Sequence, residues 1–321
     1  MNIGLSKTFT FVQILERVFL MVGVFFIILG GFFWAVDTLI RYPLVSQGIS
    51  PERLVFAEQL FLTLIFLPFL IKDAKKYFKS SLSAWFSFFI IGSCGSALAT
   101  LAFTKAFVLI NPSLVILLQK LQPLISISLA RILLGEKTSR PFLLWAAVAL
   151  FGGFLISSPD IMPGLINFNF NVLALSNTTL AGYGFALMAV VIWGSSTVFG
   201  KKLSAKGFNE IQIMGGRFFF GFLFMSVYLL YQTGSLALDW GYQVNLKILT
   251  MNLCSGIGAM FFFYRGLKRL PARSAALAEM FFPLIAIVIN WIVLDARLAP
   301  IQLVGGALLI LSSTVIQIKK Y

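Results

Sequence analysis

The chain has 321 residues, 59% of them hydrophobic and 11% charged, with a mean hydropathy of +0.95, values outside the range of soluble globular chains. The net charge of +14 is dispersed over loops rather than gathered into a patch, so it reads as a topology signal and not as nucleic-acid binding. With no histidine, the usual zinc sites, His-based triads and His proton relays are excluded, and no cofactor or metal is expected.

Apolar runs long enough to cross the hydrocarbon occupy about 18–40, 52–72, 82–106, 111–133, 141–158, 180–203, 210–231, 246–268, 273–294 and 300–318. The fold expected is an all-α polytopic membrane protein of ten transmembrane helices. The first run is too long for a signal-peptide core and is followed by Asp37 and Arg41 rather than a cleavage site, so it is expected to stay in the mature protein. Lys and Arg alternate between loops. One side carries Lys72, Lys75, Lys76 and Lys79, then Arg131 and Lys137, Lys201 and Lys202, Arg265 to Arg273, and Lys319; the other carries Arg41, Arg53, Lys105, Lys247 and Arg297. By the positive-inside rule both termini are cytoplasmic, and the expected location is a bacterial cytoplasmic (inner) membrane.

The chain repeats itself. A shift of 159 aligns Trp34 with Trp193, Thr38 with Thr197, Leu44 with Leu203, Gly48 with Gly207 and Phe61 with Phe220. A shift of 160 then aligns Cys94 with Cys254, Phe103 with Phe263, Gln119 with Glu279 and Pro123 with Pro283. Five spans per copy is an odd number, so the second copy enters from the opposite side and the halves form two inverted five-helix repeats. The expected division is 1–158 for the first repeat, 159–179 for an extracytoplasmic connector and 180–321 for the second repeat. Cys94 and Cys254 read as small packing residues, the glycine pairs as helix-packing sites, and the phenylalanines mostly as lipid-facing filler.

The matched prolines sit in the fourth and ninth spans, where each removes a backbone donor and is expected to free the carbonyl of Gln119 or Glu279. Broken polar helices at matched repeat positions point to a transporter's binding site. In the fourth span Gln119, Lys120, Gln122, Pro123 and Ser126 share one arc of the helical wheel, so Lys120, Gln119, Gln122 and Glu279 are the expected substrate-binding residues. The alternative for Lys120 is a buried pairing with Glu58 or Glu279. Trp34 and Trp193 either line the same path or serve packing. A charge inside the bilayer is costly, so Asp37, Glu58 and Arg217 are candidates for proton coupling or structural ion pairing. Glu279 is the leading candidate proton carrier.

Ten spans, WAVDT and WGSST in the first helix of each copy, and LARILLGEKTSRPFLLWAAVALFGGFLI at the end of the first copy resemble the EamA-type branch of the drug/metabolite transporter superfamily. Gly135-Glu136 fits the family pattern, whereas Asp295-Ala296-Arg297 departs from it. The resemblance implies secondary active transport of a small organic solute by alternating access. The mixed interior charges favour a polar or zwitterionic metabolite such as an amino acid, exported or exchanged, with the protein a monomer or homodimer. The alternatives are a nucleotide-sugar or phosphometabolite antiporter, in which Lys120 and Arg217 grip the anion, and an integral-membrane enzyme, which no motif at recognisable spacing supports.

Overall fold

The chain is described by a computed structural model that covers residues 3–134, 140–161, 176–270 and 272–319. Gly135, Glu136 and Lys137, and most of the connector, lie outside the described residues. Among the described residues ten helices are long and apolar enough to cross a bilayer: α1 (Arg17–Ser46), α2 (Pro51–Lys72), α3 (Leu82–Leu109), α4 (Pro112–Leu133), α5 (Pro141–Asp160), α6 (Asn177–Ala205), α7 (Glu210–Thr233), α8 (Tyr242–Leu267), α9 (Leu277–Leu294) and α10 (Pro300–Ile318).

The repeat is written into the turns. After α1, Gly48 takes φ 95°, and after α6, Gly207 takes φ 83°, the left-handed region that glycine enters without steric cost. Both turns close with the same hydrogen bond across the glycine, Ile49 N–H to Leu44 O at 3.1 Å and Phe208 N–H to Leu203 O at 3.2 Å. Ser50 then caps α2 by accepting from Arg53 N–H, and its repeat mate Asn209 caps α7 by accepting from Gln212 N–H. In lipid an uncapped donor has no water to turn to, so the matching caps set matching helix directions.

The third helix of each copy carries the same irregularity. Ile90–Leu98 in α3 and Asn252–Gly258 in α8 are wound as π-helix, closed by Ala99 N–H on Cys94 O and Ala259 N–H on Cys254 O. One inserted residue widens the turn and rotates every later side chain on its helix. Cys94 and Cys254 sit inside these segments as free thiols.

Helix packing obeys the exchange of one copy for the other. α1 packs on α8 and α9, as α6 packs on α3 and α4, while α2 with α7 and α5 with α10 are self-matched pairs. The first half of α4, Pro112–Leu118, is buried at every residue and anchors the largest apolar cluster with Phe103, Phe107 and Ala186. Phenylalanine serves on both surfaces: Phe19, Phe25, Phe78, Phe86 and Phe151 are exposed on the outside of the bundle. Phe56, Phe66, Phe88, Phe103, Phe107 and Phe218 are buried, because adjoining helices interlock rings, as Phe66 does with Phe218 at 5.4 Å between centroids.

α5 and α10 approach backbone to backbone. A Cβ at Gly305 would lie 2.7 Å from Gly152 O and 2.8 Å from Ile156 N, and one at Gly152 would lie 2.8 Å from Gly305 O. These obstacles are backbone and cannot yield as a side-chain tip would. Gly305→Ala is therefore expected to destabilise the bundle by about 1–3 kcal/mol through overpacking, seen as a lower unfolding midpoint in detergent. An unchanged midpoint would show that these backbones do not meet.

Candidate functional site

The two helices with repeat-matched prolines, α4 and α9, break where the alignment places their polar residues. α4 tightens into a 3-10 turn at Gln119–Leu121. The ninth helix, entered at Ala272–Glu279, is interrupted at Met280 and resumes at Phe281–Leu294. The expectation of a freed Gln119 carbonyl is corrected: Gln122 N–H takes it within the tightened turn, so the break is satisfied inside the chain.

Around these breaks four helices bring together one polar and aromatic group. Lys120 is 6% exposed, and its Nζ lies 3.9 Å from Glu279 Oε1 and 5.3 Å from the Phe282 ring centre. That separation is an ion-pair contact, too long for a hydrogen bond. The Glu279 side chain keeps 33% of its surface accessible, so the carboxylate borders open space while its partner is enclosed. Trp34 closes the group from α1, 5.3 Å from Phe263 and 6.0 Å from Phe282. Of the two carboxylates expected as partners for Lys120, the fold supplies Glu279.

The second copy builds the counterpart with different polarity. Trp193 lies 5.2 Å from Phe103, matching Trp34 on Phe263, and its indole donates to Gly95 O at 2.8 Å within the π segment. Ser126 donates to Gly194 O at 2.9 Å, and a Cβ on Gly194 would stand 3.1 Å from Gln122 O, so the missing side chain lets α6 press against the broken part of α4. Gln119 and Gln122 are half-buried beside it. The repeat mate of Lys120 is Met280 and that of Gln122 is Phe282, so the ammonium and amides lie on α4, while α9 sets apolar side chains beside the one carboxylate of Glu279.

Asp37 and Glu58 form a separate centre around Arg41, which the sequence alone assigns to the topology charges of a loop, and Arg217 on α7 stays outside its contacts. Arg41 is 3% exposed and lies inside the bundle, because α1 continues unbroken to Ser46. Its Nε and Nη2 contact Asp37 at 2.7 and 3.1 Å, and its Nη1 donates to Thr104 at 3.1 Å. Asp37 also accepts from Ser255 at 2.8 Å, which joins α1 and α3 to α8. Glu58 Oε2 is 2.9 Å from Arg41 Nη2 but has no hydrogen bond, and neither has the buried Arg217 Nε. The signal for Arg41 was present as an i,i+4 acid–base pair with Asp37; that for Phe103 and Phe263 was their match in the repeat.

Ten spans in two inverted copies, with charged and broken helices meeting between the copies, define an integral-membrane transporter rather than an enzyme. The chain belongs to the EamA-like transporter family, whose model matches residues 21–158 and 180–318. It is 29% identical over 308 residues to the riboflavin transporter ImpX of Fusobacterium nucleatum, spanning 93% of this chain and 97% of that protein. It is also 27% identical over 146 residues to the uncharacterized transporter YoaV of Bacillus subtilis, 46% of this chain and 49% of that one. A solved structure titled only as the crystal structure of a protein superposes with a TM-score of 0.57 at 15% identity, covering 94% of this chain and 97% of that chain; this is a likeness of fold.

Removing Arg41 strands two buried carboxylates at once. Arg41→Gln is expected to lower stability by about 3–5 kcal/mol, and Asp37→Asn in the same chain should recover part of the loss, because it removes the stranded charge. Thermal unfolding of the two variants side by side checks this, and additive losses would show that the contacts carry no coupling.

Proposed function

We propose that the chain moves a flat heteroaromatic metabolite of the flavin class, by alternating access of the two copies around the group formed by Trp34, Trp193, Lys120, Gln119, Gln122 and Glu279. The observation that carries this reading is the pair of repeat-matched Trp–Phe contacts, 5.3 and 5.2 Å between ring centres, next to a single Lys–Glu pair. Planar rings meet aromatic walls by stacking, and glutamine amides and an ammonium suit the carbonyl and imide edge of such a heterocycle. Full-length similarity to a protein named as a riboflavin transporter supports the same class. The basic loops orient both termini toward the cytoplasm. Repeat boundaries at 158 and 180 belong to this reading, as does a proton taken up or released at Glu279.

One observation favours a second reading. Opposite charges 3.9 Å apart would also receive the two ends of a zwitterion such as an amino acid, its carboxylate on Lys120 and its ammonium on Glu279. The purified protein in proteoliposomes separates the two: riboflavin flux supports the first, and flux of aromatic amino acids without riboflavin flux replaces it with the second. In the flavin reading Trp34→Ala and Trp193→Ala should each weaken riboflavin binding by about ten-fold or ~1.4 kcal/mol, read by quenching of the flavin's fluorescence.

Lys120→Met keeps most of the side-chain volume and removes the charge. If Lys120 binds substrate, this variant should stay monodisperse with an unchanged unfolding midpoint and lose flux. If Lys120 is instead a counter-ion for Glu279, the midpoint should fall, and Lys120→Met with Glu279→Gln should restore both stability and flux. Recovery of flux in the double variant overturns the binding role.

A further inference from the structure

We propose that Glu58 changes partners during the transport cycle, resting on Arg41 in the conformation described above and on Arg217 in the opposite one. The inference builds on the transport reading and uses the charges that the substrate group leaves unassigned. Glu58 on α2 and Arg217 on α7 occupy matched positions of the repeat, and α2 packs along α7, so the exchange axis between the copies relates two opposite charges. Arg217 lies within electrostatic reach of Glu58 and of Tyr264. No hydrogen bond or ion pair to it occurs among the described residues, and its Nε is buried without one. Glu58 Oε2, by contrast, is held in an ion pair 2.9 Å from Arg41 Nη2. A buried guanidinium nitrogen without a partner, packed against a helix whose carboxylate is engaged elsewhere, asks for a contact that this conformation does not make.

Arg41 can release Glu58 because it does not depend on it. Asp37 contacts the guanidinium at 2.7 and 3.1 Å and Thr104 accepts at 3.1 Å, so a neutral Asp37–Arg41 pair remains when Glu58 leaves. Arg217 has no such standing partner. In an inverted repeat the opposite conformation arises as each copy takes up the arrangement of the other, yet the second copy cannot rebuild the Arg41 centre. The positions matching Asp37 and Arg41 are Ser196 and Gly200. Arg217 is then the cation available to hold the alternative arrangement, and Glu58 the carboxylate that can reach it. Moving one carboxylate between two cations leaves the summed charge of Asp37, Arg41, Glu58 and Arg217 at zero throughout, and Arg217, unpaired in this conformation, gains its partner in the opposite one.

The test reads conformation directly. Spin labels at Gln47→Cys and Arg297→Cys, both exposed positions, in a Cys94→Ser and Cys254→Ser background report the distance between two loops by pulsed electron resonance in lipid nanodiscs. Arg217→Gln is expected to leave only the distance population of the present conformation, Arg217→Lys to keep part of the second, and Arg41→Gln to enrich it. Should Arg41→Gln not fold, Arg217→Gln carries the test, because this conformation loses no contact with it. Riboflavin binding to Arg217→Gln should stay within about two-fold while flux falls about ten-fold or more. Distance populations unchanged in Arg217→Gln, or binding lost together with flux, would overturn the exchange. If the parent chain moves no riboflavin but Arg217→Gln still removes the second population, the substrate reading fails and the exchange stands.

Discussion

A guanidinium enclosed by membrane helices has to be neutralised and hydrogen-bonded where it lies, and the polar interior of this bundle follows from that requirement at Arg41. Burying a charge among membrane helices is costly, and at Arg41 it is met by Asp37 one turn back on the same helix, by Thr104 on α3 and by Glu58 on α2. Asp37 in turn accepts from Ser255 on α8, which carries the first copy's polar network into the second. Lipid supplies no hydrophobic drive for helices to associate. A network that would be exposed by separating these helices is thus a direct restraint on how they sit.

The rest of the packing is close approach through missing side chains. Gly152 and Gly305 let α5 and α10 meet backbone to backbone, and Gly194 lets α6 reach the broken part of α4. Symmetry supplies the frame: matched turns at Gly48 and Gly207, matched π segments and matched Trp–Phe pairs give both copies the same curvature. The repeat symmetry fails at the candidate site. Lys120 faces Met280 across the repeat, Gln122 faces Phe282, and Asp37 and Arg41 face Ser196 and Gly200. In the proposed reading a substrate held between such copies would meet the ammonium and amides of α4 on one side and the aromatic surface and carboxylate of α9 on the other.

The two charged centres meet the cost of burial in different ways. One is half-open and aromatic, with Glu279 accessible beside an enclosed lysine; the other is closed, and built from short contacts. Each is close to neutral, as bilayer burial demands, but only the first presents flat apolar faces to a ligand.

Ten spans, their duplication, their inversion and the two broken helices were legible in the sequence, because hydrocarbon thickness dictates run length and a duplicated chain keeps its prolines and glycines in register. The same register singled out Trp34, Trp193, Lys120 and Glu279. Which of these touch was decided only by the tertiary structure. Lys120 could have met Glu58 or Glu279, and the selection of Glu279 follows from α9 packing on α1 and on the first half of α4, a matter of helix position that periodicity does not contain. Arg41 was misread for a related reason. Span ends were judged by hydropathy, and a charged residue ends a hydropathy run whether it lies in water or in a buried ion pair. Only the placement of α2, α3 and α8 around it shows that α1 runs on and that the charge is enclosed.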